Sequence, residues 1–529
     1  MTDIAAPAPA AAAAPIDLPS LPVERLARRV VTGPVPTMVT TRSPFDGSPI
    51  AELPESTPEN VTSAFARARL AQTAWAKRSV RERTAVFLRF HDRVLERQSE
   101  ILDIIQTETG KARKHAFEEV LDVALCSRHY GRRAVGYLRE RRRAGALPVL
   151  TKAIEVRHPK GVVGLVSPWN YPLALSIGDA IPAFIAGNAV VMKPDTQTAL
   201  TALWAQDVLI ECGLPEDLWQ IVLGDGPVVG TAVVEGADYV GFTGSTRTGR
   251  EVAQRAAARL VGASLELGGK NAMIVLADAD LDRAAEGAVR ACFSSAGQLC
   301  ISIERMYVHA DIHDAFLDRF LARIQTMRLA AGYAWDTDMG SLVSRRQLQA
   351  VTRHVDEARA AGARVLIGGT ARPDLGPLFY EPTVLADVTP EMAVCAEETF
   401  GPVVSVYRFT EEEEVVTRAN ETAYGLNASV WTRNTRHGGA LARRLRAGTV
   451  NVNEGYAAAY GSAGAPMGGM GDSGLGRRHG AEGIMKFTEA QTVATQRLLP
   501  IAAPFGMSDE QWARSLTLSL RVMKVLRVR

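Results

Sequence analysis

Cysteine is scarce in this chain, with five in 529 residues, at 126, 212, 292, 300 and 395. The count is odd and no CxxC pair occurs, which argues for a reducing compartment and against a disulfide framework. No HExxH or paired-CxxC spacing is present, so no metal site is expected. A dominant charge is also lacking. The formal net charge is +2, which leaves no global basic field to attract nucleic acid. No charge-free apolar stretch of about 18 residues stands out from ordinary core segments, so no transmembrane helix is expected. The opening MTDIAAPAPAAAAAPI has neither the basic start nor the unbroken apolar run of a signal peptide. Its composition predicts a disordered Ala/Pro-rich tail over 1–19, and the cytoplasm is the default compartment.

What is present is enough chain for two or three domains, at roughly 100–200 residues each. Apolar residues make up 47% and charged residues 22%, ordinary for a globular protein. Residues 57–145 read as helical. Thr57, Pro58 and Glu59 open a helix with Val61, Ala64, Phe65, Ala68 and Ala71 at helical spacing, and the pattern continues over 81–97 and 100–124. From 148 the period shortens. VVGLVS, GNAVVMKP, WQIVLG, YVGFTGS and NAMIVL are short apolar runs separated by helical segments, which predicts βαβ units and a parallel sheet. After 300 a second α/β unit follows, with RMYVHA, RVLIGG, PTVL, VVSVYRF, ASVWT and GTVNVN as its strands. The boundary falls near 266–300, where chemically suggestive residues are densest.

Cys300 lies in FSSAGQLCISIER, where Gly297 and Gln298 predict a loop presenting the thiol. A free cysteine has a pKa of about 8.5 and needs activation to attack at neutral pH. A lone cysteine is more often an inert core residue, and Cys126, Cys212, Cys292 and Cys395 keep that reading. Glu266 in LELGGKN sits among apolar residues before a Gly-Gly bend. A carboxylate there would have a raised pKa and could activate water or a thiol, although an ordinary capping or salt-bridge role is the plainer alternative. Asn170 in SPWNYP is held stiffly by Trp169 and two prolines, so its amide could donate to an oxyanion or merely brace a loop. Lys193-Pro194 ends a strand, and Gly244-Ser-Thr-Arg-Thr-Gly249 opens a helix whose free N–H groups suit a pyrophosphate. This is not GxGxxG, so alone it is a weak dinucleotide signal.

Together, PWN, KP, GFTGS, ELGGK, GQxC and ETFGP, beginning at 168, 193, 241, 266, 297 and 398, resemble the aldehyde dehydrogenase superfamily over about 40–500. The resemblance implies an α/β fold. A parallel-sheet dinucleotide-binding domain would cover 20–142 and 162–265, and an α/β catalytic domain 266–467. A β oligomerisation arm would be built from 143–161 and 484–498, in a homodimer or tetramer. It implies Cys300 as nucleophile, Glu266 as general base, and the Asn170 side chain with the Cys300 backbone N–H as oxyanion hole. For the cofactor it implies Lys193 at the adenosine ribose, Ser245 at the pyrophosphate, Glu398 at the nicotinamide ribose and Phe400 beside the nicotinamide. Trp169, Asp195, Thr196, Gly226, Phe242, Gly244, Gly249 and Leu267 complete the implied cofactor contacts. The implied reaction is NAD(P)-dependent oxidation of an aldehyde through a thiohemiacetal and a thioester.

Within the family, KPDTQT, GPLFYEPTVL, GSAGAPMGGMGDSG and GRRHG are similar to the second NADP-dependent succinate-semialdehyde dehydrogenase type of actinobacteria, which implies succinate semialdehyde as substrate. Members acting on it usually hold its carboxylate with two arginines. Those positions are Gly178 and Ser294 here, which leaves a broad dehydrogenase for aliphatic or aromatic aldehydes as the alternative. Arg157, Arg305 or Arg477 are the candidate substitutes. Many relatives carry a second cysteine two residues after the nucleophile; Ser302 stands there, so no local disulfide switch is expected. A Lys–Glu pair of many members corresponds to Asp179 and Arg478, which predicts a pair with its charges exchanged. NAD-preferring relatives often place Glu three residues after Lys193. Thr196 stands there and leaves room for a 2′-phosphate, so NADP is expected, with NAD tolerated. A C-terminal amphipathic tail is expected over 499–529, of which 504–529 extends past the family's usual end. Ser508 and Gln511 form a capping box, and Trp512, Leu516, Leu520 and Met523 share one face opposite basic residues. Such a helix lies on an anionic membrane surface or docks on its own or a neighbouring subunit.

Overall fold

The computed structural model describes residues 16–146, 150–497 and 501–527. Most of the Ala/Pro-rich tail, residues 147–149 and 498 of the arm, and residues 499–500 and 528–529 of the C-terminal tail lie outside them.

The apolar runs from 162 to 266 form a six-stranded sheet. Its order is Gly474–Leu475, Gly262–Glu266, Tyr239–Thr243, Val162–Val166, Ala189–Lys193 and Trp219–Ile221. All neighbours are parallel except the two-residue edge strand Gly474–Leu475. Every residue of Ala189–Lys193 is buried, as expected for a sheet covered by helices on both faces. The chain steps outward from 162–166 through 189–193 to 219–221, then returns to the other side at 239–243. The order therefore reverses between Val162–Val166 and Tyr239–Thr243, where a crevice opens at the strands' carboxyl ends.

The later runs form a seven-stranded sheet. Its order is Arg364–Ile367, Thr383–Ala386, Val403–Phe409, Ile303–His309, Asn271–Val275, Asn427–Trp431 and Thr449–Val452. Here the edge strand Arg364–Ile367 runs antiparallel to Thr383–Ala386, while the other neighbours are parallel. A third sheet joins Arg141–Arg143, Thr151–Pro159 and Thr488–Gln496, all antiparallel. The outer edge of 489–495 pairs with no described strand.

Two helical boundaries differ from the sequence reading. The run expected over 100–124 is two helices, Gln98–Thr109 and Arg113–Leu138, because Gly110 adopts a left-handed conformation (φ 73°) and caps the first. The helical region ends at Leu138, and 141–143 is strand. The predicted start at Thr57 stands, as a capping box with Asn60. The terminal helix Asp509–Val525 also has its Ser508–Gln511 capping box, and none of its residues is buried. Trp512 Nε1 donates to Ile501 O at 2.6 Å. Leu520, expected on the apolar face, is exposed, as are Leu518, Val522 and Val525. No helix among the described residues is long and apolar enough to cross a membrane.

Candidate active site

The crevice at the strand-order reversal is a cleft of about 1130 Å³. Trp169 and Asn170 enter it from the loop after Val162–Val166, Gly244 and Ser245 from the loop after Tyr239–Thr243, and Glu266 and Leu267 from the end of Gly262–Glu266. Cys300, Glu398 and Phe400 close it from the side of the second sheet. Nine of the residues singled out by sequence thus meet at one cleft.

The segment before Cys300 is sharply bent. Ser295, Ala296 and Gly297 have φ of 52°, 55° and 70°. A side chain at 297 would begin 2.0 Å from the Gly401 carbonyl, so only glycine fits. Buried amides hold the loop. Gln298 donates to Ser295 O at 3.1 Å and accepts from Val343 N at 3.0 Å. Asn271 donates to Cys300 O at 2.8 Å and Ser302 O at 2.7 Å, and Asn427 donates to Ile301 O at 2.9 Å. Burial, with Glu398 and Glu266 adding to it, pushes the Cys300 thiol up to about 12, so it rests protonated. All five cysteines are free. Cys126, Cys212 and Cys292 are buried and Cys395 half-buried.

Glu266 Oε1 is buried without a hydrogen-bond partner. Burial pushes its carboxyl up to about 7, against the pull of Arg478 and Lys486. A carboxyl near neutrality beside a thiol can take and return a proton. Asn170 Nδ2 donates to Gln298 O at 3.1 Å, which binds the amide to the cysteine loop. Its backbone oxygen accepts from Lys111 Nζ at 2.6 Å; Lys111 also pairs with Glu119 at 2.7 Å and lies 3.8 Å from the centre of the Tyr171 ring. Glu119 Oε2 accepts from Leu173 N and Ala174 N at 2.8 and 3.1 Å, at the start of helix Pro172–Ile185. The sequence reading missed Lys111 and Glu119.

Glu398 Oε1 accepts from Gly269 N at 2.8 Å, and a Cβ at Gly268 would meet its Oε2 at 2.6 Å. Burial and then Glu304 raise its carboxyl to about 8. Glu304, also missed, receives the Thr399 and Phe400 backbone N–H groups and the Lys270 ammonium, which fixes the ETFGP turn. Phe400 stands edge-on to Trp169 at 5.6 Å. Ser245 caps helix Thr246–Ala258, accepting from Thr248 N at 3.4 Å. Extra atoms at Gly244 or Gly249 would come within 2.7 Å of Phe242 or 2.4 Å of Leu267. Lys193, Asp195, Thr196 and Gly226 lie outside the cleft's immediate wall. Lys193 is buried with its ammonium on Pro194 O at 3.2 Å. Burial lowers its pKa against the field of Asp195 and Asp225. Asp195 caps the next turn through Gln197 N at 3.0 Å, while Thr196 has no such duty. The close-packed glycines and the N-terminus of helix Thr246–Ala258 at the cleft wall fit the pyrophosphate of a dinucleotide.

Asp179 and Arg478 do pair, Oδ1 to Nε at 3.4 Å, and Lys486 joins at 2.9 Å. Burial works against the Asp179 charge, but Arg478 and Lys486 hold its carboxyl down at about 2. A Cβ at Gly178 would lie 2.5 Å from Arg478 Nη2, so this guanidinium fills the space where a side chain at 178 would start. Ser294, the second position without arginine, meets the Tyr456 hydroxyl at 2.8 Å. Of the candidate substitutes, Arg305 is spent on the carbonyls of Lys270, Arg418 and Ala419, Arg157 on Glu155, and Arg477 on Gly469 and Gly476.

A second cavity, of about 450 Å³, adjoins the same loop and is lined by Leu121, Leu125, Tyr171, Leu299, Ile301, Tyr456 and Tyr460. Its charged members are acids, Glu118 and Asp122, and no cation lines it. Burial raises Glu118, while Tyr456 and Tyr171 donate to it at 2.9 and 3.0 Å.

The profile of the aldehyde dehydrogenase family matches residues 32–493. A protein of Mycolicibacterium smegmatis named "Putative succinate-semialdehyde dehydrogenase (NADP(+))" is 54% identical over 482 residues, 91% of this chain and 93% of its own. The 4,4′-diapolycopene aldehyde oxidase of a Methylomonas species is 36% identical over 470 residues, 87% of this chain and 86% of its own. Among solved structures, an NAD-dependent aldehyde dehydrogenase from Sinorhizobium meliloti superposes with a TM-score of 0.85 at 32% identity, covering 93% of this chain and 99% of that one.

Proposed function

The chain belongs to the aldehyde dehydrogenase family, and from that premise we propose that it oxidises an aldehyde with an apolar body to its carboxylic acid, with Cys300 as nucleophile. The observation that carries this reading is the meeting of Cys300, Glu266 and Asn170 at one cleft, beside a cavity walled by apolar and aromatic side chains.

The Cys300 thiol releases its proton to solvent as sulfur adds to the aldehyde carbon. The carbonyl π-electrons move to oxygen, which the Asn170 amide and the Cys300 backbone N–H receive. Cys300 then holds a thiohemiacetal. A bound nicotinamide dinucleotide supplies the hydride acceptor. Loss of hydride leaves a thioester on Cys300. Glu266, as carboxylate, then deprotonates a water, the oxygen adds to the thioester carbon, and the C–S bond breaks to give the acid, the Cys300 sulfur taking back the proton from Glu266. Lys193, Ser245, Glu398 and Phe400 would hold the cofactor. Thr196, with Asp195 turned to its cap, favours NADP with NAD tolerated. The six-stranded sheet would serve as the cofactor domain and the seven-stranded sheet as the catalytic one. The unpaired edge of 489–495 would join a second copy in a homodimer or tetramer.

A second reading is succinate semialdehyde as substrate, favoured by the name of the M. smegmatis relative. The lack of a cation in the cavity wall weighs for the first. Steady-state reduction of NADP by purified protein with hexanal, benzaldehyde and succinate semialdehyde separates them. The apolar reading expects kcat/KM for hexanal or benzaldehyde at least about tenfold above succinate semialdehyde, about 1.4 kcal/mol of discrimination. The reverse order selects the second.

A further inference from the structure

One helix, Arg113–Leu138, changes character along a single face. Leu121 and Leu125 line the apolar cavity. Continuing at helical spacing, Arg128, His129, Arg132 and Arg133 line a second, more open basin of about 870 Å³. Leu125 and Gly461 belong to the walls of both, so the cavity and the basin are contiguous. Gly, Ser and Ala residues of 461–465 form the facing wall, and no acidic residue lines the basin. Arg128, Arg132 and Arg133 are exposed. Among the described residues none of the three has an ion pair or a side-chain hydrogen bond. His129 is turned to Tyr137, at 3.2 Å. Three unneutralised guanidinium groups around one concavity make a site for an anion.

We propose that the basin is the distal subsite for aldehydes that carry a carboxylate at the far end of a long methylene chain. The chain lies in the apolar cavity and the carboxylate reaches the three arginines. This rests on the aldehyde oxidation proposed above and narrows its substrate class. From Asp122 to Arg132 the helix rises by roughly 15 Å at about 1.5 Å per residue. An extended chain of about a dozen carbons, with bonds of about 1.5 Å, covers that length. A four-carbon semialdehyde does not.

The test compares ω-carboxy aldehydes of about four, eight and twelve carbons with the uncharged alkanals of the same lengths. Each series is run on the unaltered protein and on Arg128→Glu/Arg132→Glu/Arg133→Glu. The unaltered protein is expected to prefer the twelve-carbon ω-carboxy aldehyde over dodecanal by about tenfold, from contacts each worth a few-fold. That preference should shrink as salt is added. The triple variant should lose it, with alkanal turnover within about twofold of the unaltered protein. Equal use of charged and uncharged twelve-carbon aldehydes by the unaltered protein overturns the proposal, as does a preference that survives charge reversal. A protein that oxidises no aldehyde of either series sinks the underlying function as well, and the alkanal arm tells the two failures apart. Arg128→Gln/Arg132→Gln/Arg133→Gln, which removes charge without reversing it, should show the same loss at smaller size.

Discussion

In the cluster behind Asn170, Lys111 places its ammonium on Glu119, on the Asn170 carbonyl and over the Tyr171 ring, and Glu119 spends its second oxygen on two backbone N–H groups. In the cluster behind Glu266, Glu266 Oε1 is buried without a hydrogen-bond partner, and Arg478 Nε has only its 3.4 Å ion pair with Asp179. Both clusters are buried and both touch the segments that carry the proposed chemistry. A buried ion pair with every bond made is rigid, and breaking one side leaves a stranded charge. The unfilled bond leaves the Glu266 carboxyl free to exchange a proton with something that enters. The first is built as a brace, and the second is the reacting centre proposed above.

The largest effect that would break this contrast is on the reacting side. Glu266→Gln should lower steady-state turnover by about 10²–10⁴-fold, the usual contribution of a positioned general base, with little change in thermal stability. A stability loss as large as the activity loss would make Glu266 a structural residue. On the brace side the expectation is inverted. Lys111→Met should cost about 3–5 kcal/mol of stability by stranding Glu119, read by chemical denaturation, and Lys111→Met/Glu119→Leu should recover much of it. A Lys111→Met protein of unaltered stability would remove the distinction.

The smallest effect is the sharpest. Arg478 pulls the Glu266 pKa down, and burial has it at about 7 with Arg478 present. In Arg478→Gln that pull is gone, so the Glu266 pKa rises. The acid limb of thioester hydrolysis, measured in single turnover, should then move to higher pH, by on the order of one unit, or about 1.4 kcal/mol. Asp179 keeps Lys486 as partner at 2.9 Å, so the fold should persist. Arg478→Lys should restore most of the original profile. An acid limb that stays in place would mean that Arg478 does not act on Glu266.

Much of the reacting side was legible in the sequence because its residues sit in short motifs with glycine or proline neighbours. Those neighbours matter physically. Gly297 must avoid the Gly401 carbonyl, and Gly268 lets Glu398 approach. The brace was not legible. Lys111 and Glu119 lie in a stretch whose sequence reads as helical, where charges ordinarily read as a solvated face, and Lys111 meets Asn170 across 59 residues of chain. Burial of a charge is a tertiary fact that periodicity does not carry. Lys270 and Glu304 both stand in quoted segments, but nothing local shows that they pair across 34 residues, so the fixing of the ETFGP turn went unseen. The break at Gly110 had a local signal, a glycine closing a periodic run, which the longer helical pattern overrode. The exchange of charge at Asp179 and Arg478 was found because two distant positions departed from the family pattern together; Lys486, with no such departure, was not.

The central claim is that oxidation proceeds through an acyl group on the sulfur of Cys300. The direct test is rapid mixing of Glu266→Gln protein with hexanal and NADP, followed by acid quench and peptide mass mapping. The account predicts a burst of close to one reduced nicotinamide per subunit, with a hexanoyl group on the peptide containing Cys300 and nowhere else. A burst without that adduct, or the same burst in Cys300→Ala, would contradict it.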